Sequence, residues 1–130
     1  MLDLVTLLVP DYDAAIRFFV EGLHFVLEED RPARTTDGRA KRWVVVRPRD
    51  GGCGLLLARA DGDAQHETVG TQWGGRVGLF LRVDDLPSTL ERLRAAGAMI
   101  EGAPRVEAYG TVVVFRDPWG NRWDLLGAAG

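Results

Sequence analysis

The stretch Phe115-Arg116-Asp117-Pro118-Trp119-Gly120-Asn121-Arg122-Trp123-Asp124-Leu125-Leu126 decides how the rest of the chain is read. It follows Thr111-Val112-Val113-Val114, a short β-branched run of the kind that forms a buried strand. Asp117 to Asn121 has the chemistry of a turn. Pro118 presets φ at the first central position, Gly120 and Asn121 tolerate positive φ, and the Asp117 carboxylate can accept bonds from the backbone ahead. Arg122 to Leu126 then resumes an extended pattern, with Trp123 and Leu125 on one face and Asp124 on the other. A carboxylate in mid-strand needs a partner, a metal or water. What Asp124 meets is therefore the functional question that the sequence poses.

Working outward, strands are expected at Leu4–Val9, His24–Glu28, Arg42–Arg47 and Gly54–Ala58, with Glu29 to Lys41 as a loop or mobile hairpin. A helix opening at Asp11-Tyr12-Asp13 and ending at Gly22-Leu23 falls between the first two strands. Beyond a polar connector the order repeats. A strand at Arg76–Val83 precedes a helix opened by Asp84-Asp85-Leu86-Pro87-Ser88, with Leu86, Leu90 and Leu93 on one face and Gly97 at its end. Strands near Ala98–Ile100, Thr111–Arg116 and Arg122–Leu126 follow.

The halves superimpose as sequence. Val9-Pro10-Asp11-Tyr12 matches Val83-Asp84-Asp85-Leu86, Ile16 matches Leu90, Phe19 matches Leu93, and Arg42–Arg47 pairs loosely with Thr111–Arg116. The fold class is thus α+β, one β-α-β-β-β module used twice within a single domain, residues 1–130. Module one covers about 1–60, the connector 61–75 and module two about 76–130. One module cannot bury both faces of its sheet, so two must pair.

At 130 residues the chain can bury a core without disulfides or a structural metal. A net charge of -3, with Lys and Arg scattered, argues against nucleic acid and against an anionic membrane surface. No apolar run approaches the roughly 20 residues of a membrane span, and Asp3 and Pro10-Asp11 do not suit a signal peptide, so a cytoplasmic protein is expected. The single cysteine, Cys53, lies in a glycine-rich turn with no local base and reads as structural or incidental.

The paired modules, the opening Leu7-Leu8-Val9-Pro10-Asp11-Tyr12, the helix end Gly22-Leu23-His24-Phe25 and the closing F-x-D-P-x-G-N-x-x-(acid)-L resemble the vicinal oxygen chelate superfamily. That group contains glyoxalase I, extradiol dioxygenases, methylmalonyl-CoA epimerase, fosfomycin-resistance enzymes and bleomycin-binding resistance proteins. The resemblance covers nearly the whole chain. It implies a cup-shaped mixed sheet with helices outside, and a homodimer. In the enzymes a divalent metal sits in the cup on two histidines, a closing glutamate and a fourth-strand ligand. Those positions fall here on Leu4, Gly78, a residue at or near Leu55, and Asp124, of which only Asp124 keeps a donor. Zn²⁺ takes about four ligands, so the expectation is no metal and no cofactor. His24 and His66 lie away from the matched positions.

If Gly78 faces the cup as that register implies, so do Arg76, Phe80 and Arg82, with Leu4, Thr6 and Leu8 from the first strand and Arg122, Asp124 and Leu126 from the last. Arg76 or Arg122 would then neutralise Asp124. Trp123 reads as core and Trp119 as a rim or dimer contact, whereas Trp43, Trp73 and Tyr109 are the stacking candidates. The expected ligand-binding residues are Trp43, Trp73, Arg76, Gly78, Phe80, Tyr109, Arg122 and Asp124, with no catalytic group assigned. The leading expectation is a metal-independent protein that sequesters an aromatic or amphipathic small molecule, similar to the bleomycin-resistance branch with its link to antibiotic resistance. The alternatives are a metal-dependent lyase, isomerase or dioxygenase using Asp124, and a small accessory domain with a vestigial cup.

Overall fold

The computed structural model describes residues 1–128, so the last two residues of the second module lie outside it. The fold is α+β. Among the described residues eight strands form two four-stranded mixed sheets, neither of which closes on itself. The chain divides into two compact units, Met1–Val69 and a second from Gly70 onward.

The first unit runs β1 (Leu4–Val9), α1 (Tyr12–Arg17), β2 (Val26–Arg34), β3 (Ala40–Arg47), β4 (Gly54–Arg59) and α2 (Asp63–Thr68), with sheet order β1-β4-β3-β2. Asp11 caps α1: its Oδ2 accepts the Ala14 N–H at 2.8 Å. The helix ends in a π-helical turn, Phe18–Gly22, whose Phe18 and Phe19 are buried. Leu7, Val9, Val44, Val46 and Leu57 complete the core on the helix side.

The second unit repeats this as β5 (Val77–Arg82), α3 (Leu86–Ala95), β6 (Met99–Glu107), β7 (Gly110–Arg116) and β8 (Arg122–Gly127), ordered β5-β8-β7-β6. Asp85 caps α3, accepting the Ser88 N–H at 3.1 Å, and Leu90 and Leu93 are buried beneath it. Phe115 stacks on Trp123 at 5.5 Å between ring centroids, so Trp123 is core, 2% exposed.

Of the alternatives for 29–41 the structure has the hairpin: β2 and β3 pair from Val26↔Arg47 to Arg34↔Ala40, with Thr35 and Asp37 bonded to Arg39 in the tight turn. Two readings need correction. The connector holds a helix, α2, on which His66 is exposed with Nδ1 2.8 Å from the Gly62 carbonyl. Strands β2 and β6 are each nine residues, longer than their apolar runs suggested, because as sheet edges they run on through charged residues, Glu28 to Arg31 in β2 and Glu101, Arg105 and Glu107 in β6.

Candidate ligand-binding site

The turn quoted at the outset is built on Asp117. Its Oδ1 accepts from the backbone N–H groups of Trp119 (3.1 Å), Gly120 (3.0 Å) and Asn121 (3.0 Å). Its Oδ2 accepts from Asn121 Nδ2 (2.9 Å) and Trp123 Nε1 (3.1 Å). Burial pushes the Asp117 carboxyl above the ordinary carboxylate range, with the donors pulling the other way. This acid is a structural brace that aims β8.

Pairing then fixes which side chains share a face. Phe80 lies opposite Asp124, and Val114 opposite Asp124 on the other side, while Glu101 pairs with Val114. Trp123, Leu125 and Gly127 face α3, Gly127 lying against Leu86. The opposite, helix-free face of this sheet carries Phe80, Arg116, Glu101, Arg122, Asp124 and Leu126.

The electrostatics of that face differ from the expectation. Arg122 does not neutralise Asp124. Its Nε and Nη2 reach Glu101 Oε2 (3.2 and 3.0 Å), its Nη1 reaches the Gly75 carbonyl, and Arg116 shares the same glutamate. Burial raises the Glu101 carboxyl, but the two guanidiniums outweigh it and hold the group below its usual range. Arg76 does not reach Asp124 either, since it sits in the turn before β5, its N–H bonded to the Trp73 carbonyl. A bulge between Val77 and Leu79 also breaks the alternation on which its facing was inferred. Asp124 Oδ1 is therefore buried with no donor among the described residues.

The aromatic candidates divide. The Trp73 ring lies over Gly78, so close that a Cβ there would fall 2.1 Å from the ring, and Gly78 is thus required by contact. Phe80 stands 65% exposed beside Asp124. Tyr109 is at the β6–β7 hairpin tip, five residues along β7 from the level of Val114 and Asp124, or ~16 Å at strand spacing, and does not join them. Trp43 belongs to the first unit, where its Nε1 donates to Glu29 Oε2 at 2.8 Å and Arg31 lies over its ring. The structure thus brings Phe80, Arg122 and Asp124 together on one sheet face, while Trp73 lies over Gly78 at the bulge of β5. Glu101, which the sequence reading missed, belongs with them.

The donor set does not suit a metal. Among the described residues no three His, Cys, Asp or Glu side chains converge as a divalent ion requires. Leu4 and Gly78 offer no ligand atoms. The fourth-strand position resolves to Leu56, since Leu55 is buried on the helix side, and Leu56 offers none either.

The model of the Glyoxalase/Bleomycin resistance protein/Dioxygenase superfamily matches residues 1–125. The chain belongs to this superfamily. Among its relatives is an uncharacterized protein of Shewanella frigidimarina, 47% identical over 123 residues, covering 94% of this chain and 89% of the relative. Solved superfamily structures are similar throughout. TnmS3, an antibiotic binding protein from Streptomyces sp. CB03234, is 29% identical with a TM-score of 0.72, covering 98% of this chain and 95% of that one. A glyoxalase/bleomycin resistance protein from the same organism is 30% identical with a TM-score of 0.70, covering 97% and 99%. The glyoxalase family protein APC24694 from Bacillus cereus shares the fold, with a TM-score of 0.80 at 23% identity, covering 99% and 94%.

Proposed function

We propose that this superfamily member is a metal-independent small-molecule binding protein that sequesters an aromatic or amphipathic compound against the helix-free face of its second sheet. The observation that carries this reading is Asp124: a carboxylate oxygen shut off from solvent with no donor, beside the exposed ring of Phe80. A group left in that state is stabilised by an incoming hydroxyl or ammonium donor. Phe80 supplies apolar contact for a flat ligand, and the Glu101–Arg116–Arg122 network keeps the neighbouring cations occupied. The antibiotic-binding relative favours this function over an enzymatic one, and among the described residues no second group beside Asp124 suits general acid–base chemistry. The homodimer implied by the family resemblance, and a cytoplasmic location, belong to the same proposal.

Tryptophan fluorescence titrated with a panel of aromatic amines, phenols and polyketide-like antibiotics tests the reading. Saturable quenching that weakens in Asp124→Ala is the expected result. A stoichiometric transition metal in the purified protein, lost on Asp124→Ala, would overturn it in favour of the metal-dependent enzyme. Light scattering reads the oligomeric state.

A further inference from the structure

The two modules close their sheets differently. In the second unit β7 and β8 pair over six positions, from Thr111↔Gly127 to Arg116↔Arg122. The equivalent strands of the first unit pair only at Val45↔Leu56 and Val46↔Leu55. Continuing that register would set Trp43 against Ala58 and Arg42 against Arg59, but the ladder of the first unit stops short of these positions. The reason lies in two substituted positions of the repeat. Where the second unit has Leu86 packed under Gly127, the first has Tyr12 and Arg59. The buried Tyr12 ring lies between the Arg42 and Arg59 guanidiniums, 5.1 and 5.2 Å from its centroid. Its hydroxyl accepts the Arg42 backbone N–H at 3.2 Å, in place of a ladder bond.

A cleft of about 250 Å³ lies at this end of β3 and β4. A bidentate pair from Arg39 to Asp61 (2.9 and 2.7 Å) lies along it, and Gln65 holds the Asp61 N–H. Its charged lining is Arg39, Lys41, Arg42 and Arg59 against Asp61, in a protein of net charge -3. Arg39 and Arg42 are committed to carboxylates. Lys41 and Arg59 are exposed, and among the described residues neither has a carboxylate within 4.0 Å.

We propose that this cleft is a second binding site, for a small planar anion whose carboxylate or phosphate is held by Lys41, with Arg59 adding its charge from the opposite side of the cleft, and whose ring lies against the Trp43 and Leu56 walls that share a face with Lys41. The volume suits a single-ring compound, since sites for drug-sized ligands begin near ~300 Å³. A guanidinium and an ammonium without acidic partners attract an anion, and unpaired strand edges offer further backbone groups to it. All the residues that line the cleft belong to the first unit, and Asp124 belongs to the second.

Backbone ¹H–¹⁵N spectra of the full chain, titrated with phenyl phosphate, benzoate and benzyl alcohol, test it. The expected result is saturable shifts of the Lys41, Arg42 and Ala58 amides with the two anions and none with the alcohol. The affinity should fall at least tenfold in Lys41→Gln, Arg59→Gln or the double variant, with melting temperature retained. Asp124→Ala should leave this titration unchanged, which separates its failure from that of the site on the second sheet. No saturable shift at these amides, or shifts undiminished in both single variants, would overturn the proposal. So would equal binding of inorganic phosphate, because the ring would then contribute nothing.

Discussion

Phe80 and Asp124 face each other across the parallel pair β5 and β8, a ring largely in solvent next to a carboxylate oxygen with no donor. A side chain in this state is poorly adapted to the unliganded protein and well adapted to a complex. Replacing Asp124 by Leu, which removes the orphaned acceptor, should leave stability to urea unchanged or raise it by about 1–2 kcal/mol. The same change should weaken a ligand that donates to Asp124 by about 10- to 100-fold. Equilibrium unfolding and fluorescence titration of one variant read both outcomes, and marked destabilisation would mean that the carboxylate supports the fold.

Asp117 predicts the reverse. It satisfies five donors, so in Asp117→Asn an amide NH₂ must face N–H groups on one side or the other. Urea denaturation should show a loss of roughly 2–4 kcal/mol, the range for stranding buried donors. Because the turn aims β8, ligand affinity should fall as well.

Acid should loosen the second sheet through Glu101. Its carboxyl is held below the usual range in the fold, so the stabilisation is full above the unfolded value of 4.5 and is lost as pH falls through the folded one. Asp117 runs the other way, since a raised carboxyl favours the folded state as pH falls. Melting temperature recorded from pH 6 to pH 3 should decline, and Glu101→Gln should flatten the decline. An unchanged acid limb in that variant would show that other carboxylates govern it.

Gly78 sets the position of Trp73. Any side chain at 78 meets the Trp73 ring at its Cγ and Cδ2 atoms, so the indole must move to admit it. Gly78→Val should therefore displace the indole toward water and red-shift its emission, at a stability cost of about 1–2 kcal/mol. Trp73→Phe, in either background, identifies the signal among the four tryptophans.

Much of the fold was legible in the sequence because its signals are local. Asp11 and Asp85 both cap the helices they precede, Leu90 and Leu93 are buried at helical spacing, and Asp117 organises the turn around Pro118 and Gly120. The placement of Asp124 and Phe80 on one face came from alternation combined with the register that the family resemblance implies. What could not be read depended on pairing between distant strands. Glu101 lies 21 residues from Arg122, just past the short apolar run taken for β6, so nothing nearby marked it as the arginine's partner. The bulge at Val77 and Gly78 removed Arg76 from the strand, and alternation gives no warning of an inserted residue. The shortened ladder of the first unit was equally silent: Tyr12 and Arg59 look ordinary until their counterparts Leu86 and Gly127 are set beside them.

The hairpin of the first unit has a consequence for how the protein behaves in concentrated solution. Strand β2 is the outermost strand of its sheet, and Pro32 stands opposite Arg42 in the ladder. The Arg42 N–H is turned toward Tyr12, away from β2, so these two residues exchange no ladder bonds and the N–H at 32 would point outward. A proline has none to offer. A second chain seeking to extend the sheet from this side meets a missing donor in mid-strand, flanked by the charges of Asp30, Arg31 and Arg34. The long exposed hairpin is in this way protected from fibril-like growth, and Pro32→Val should shorten the time a stored sample stays clear.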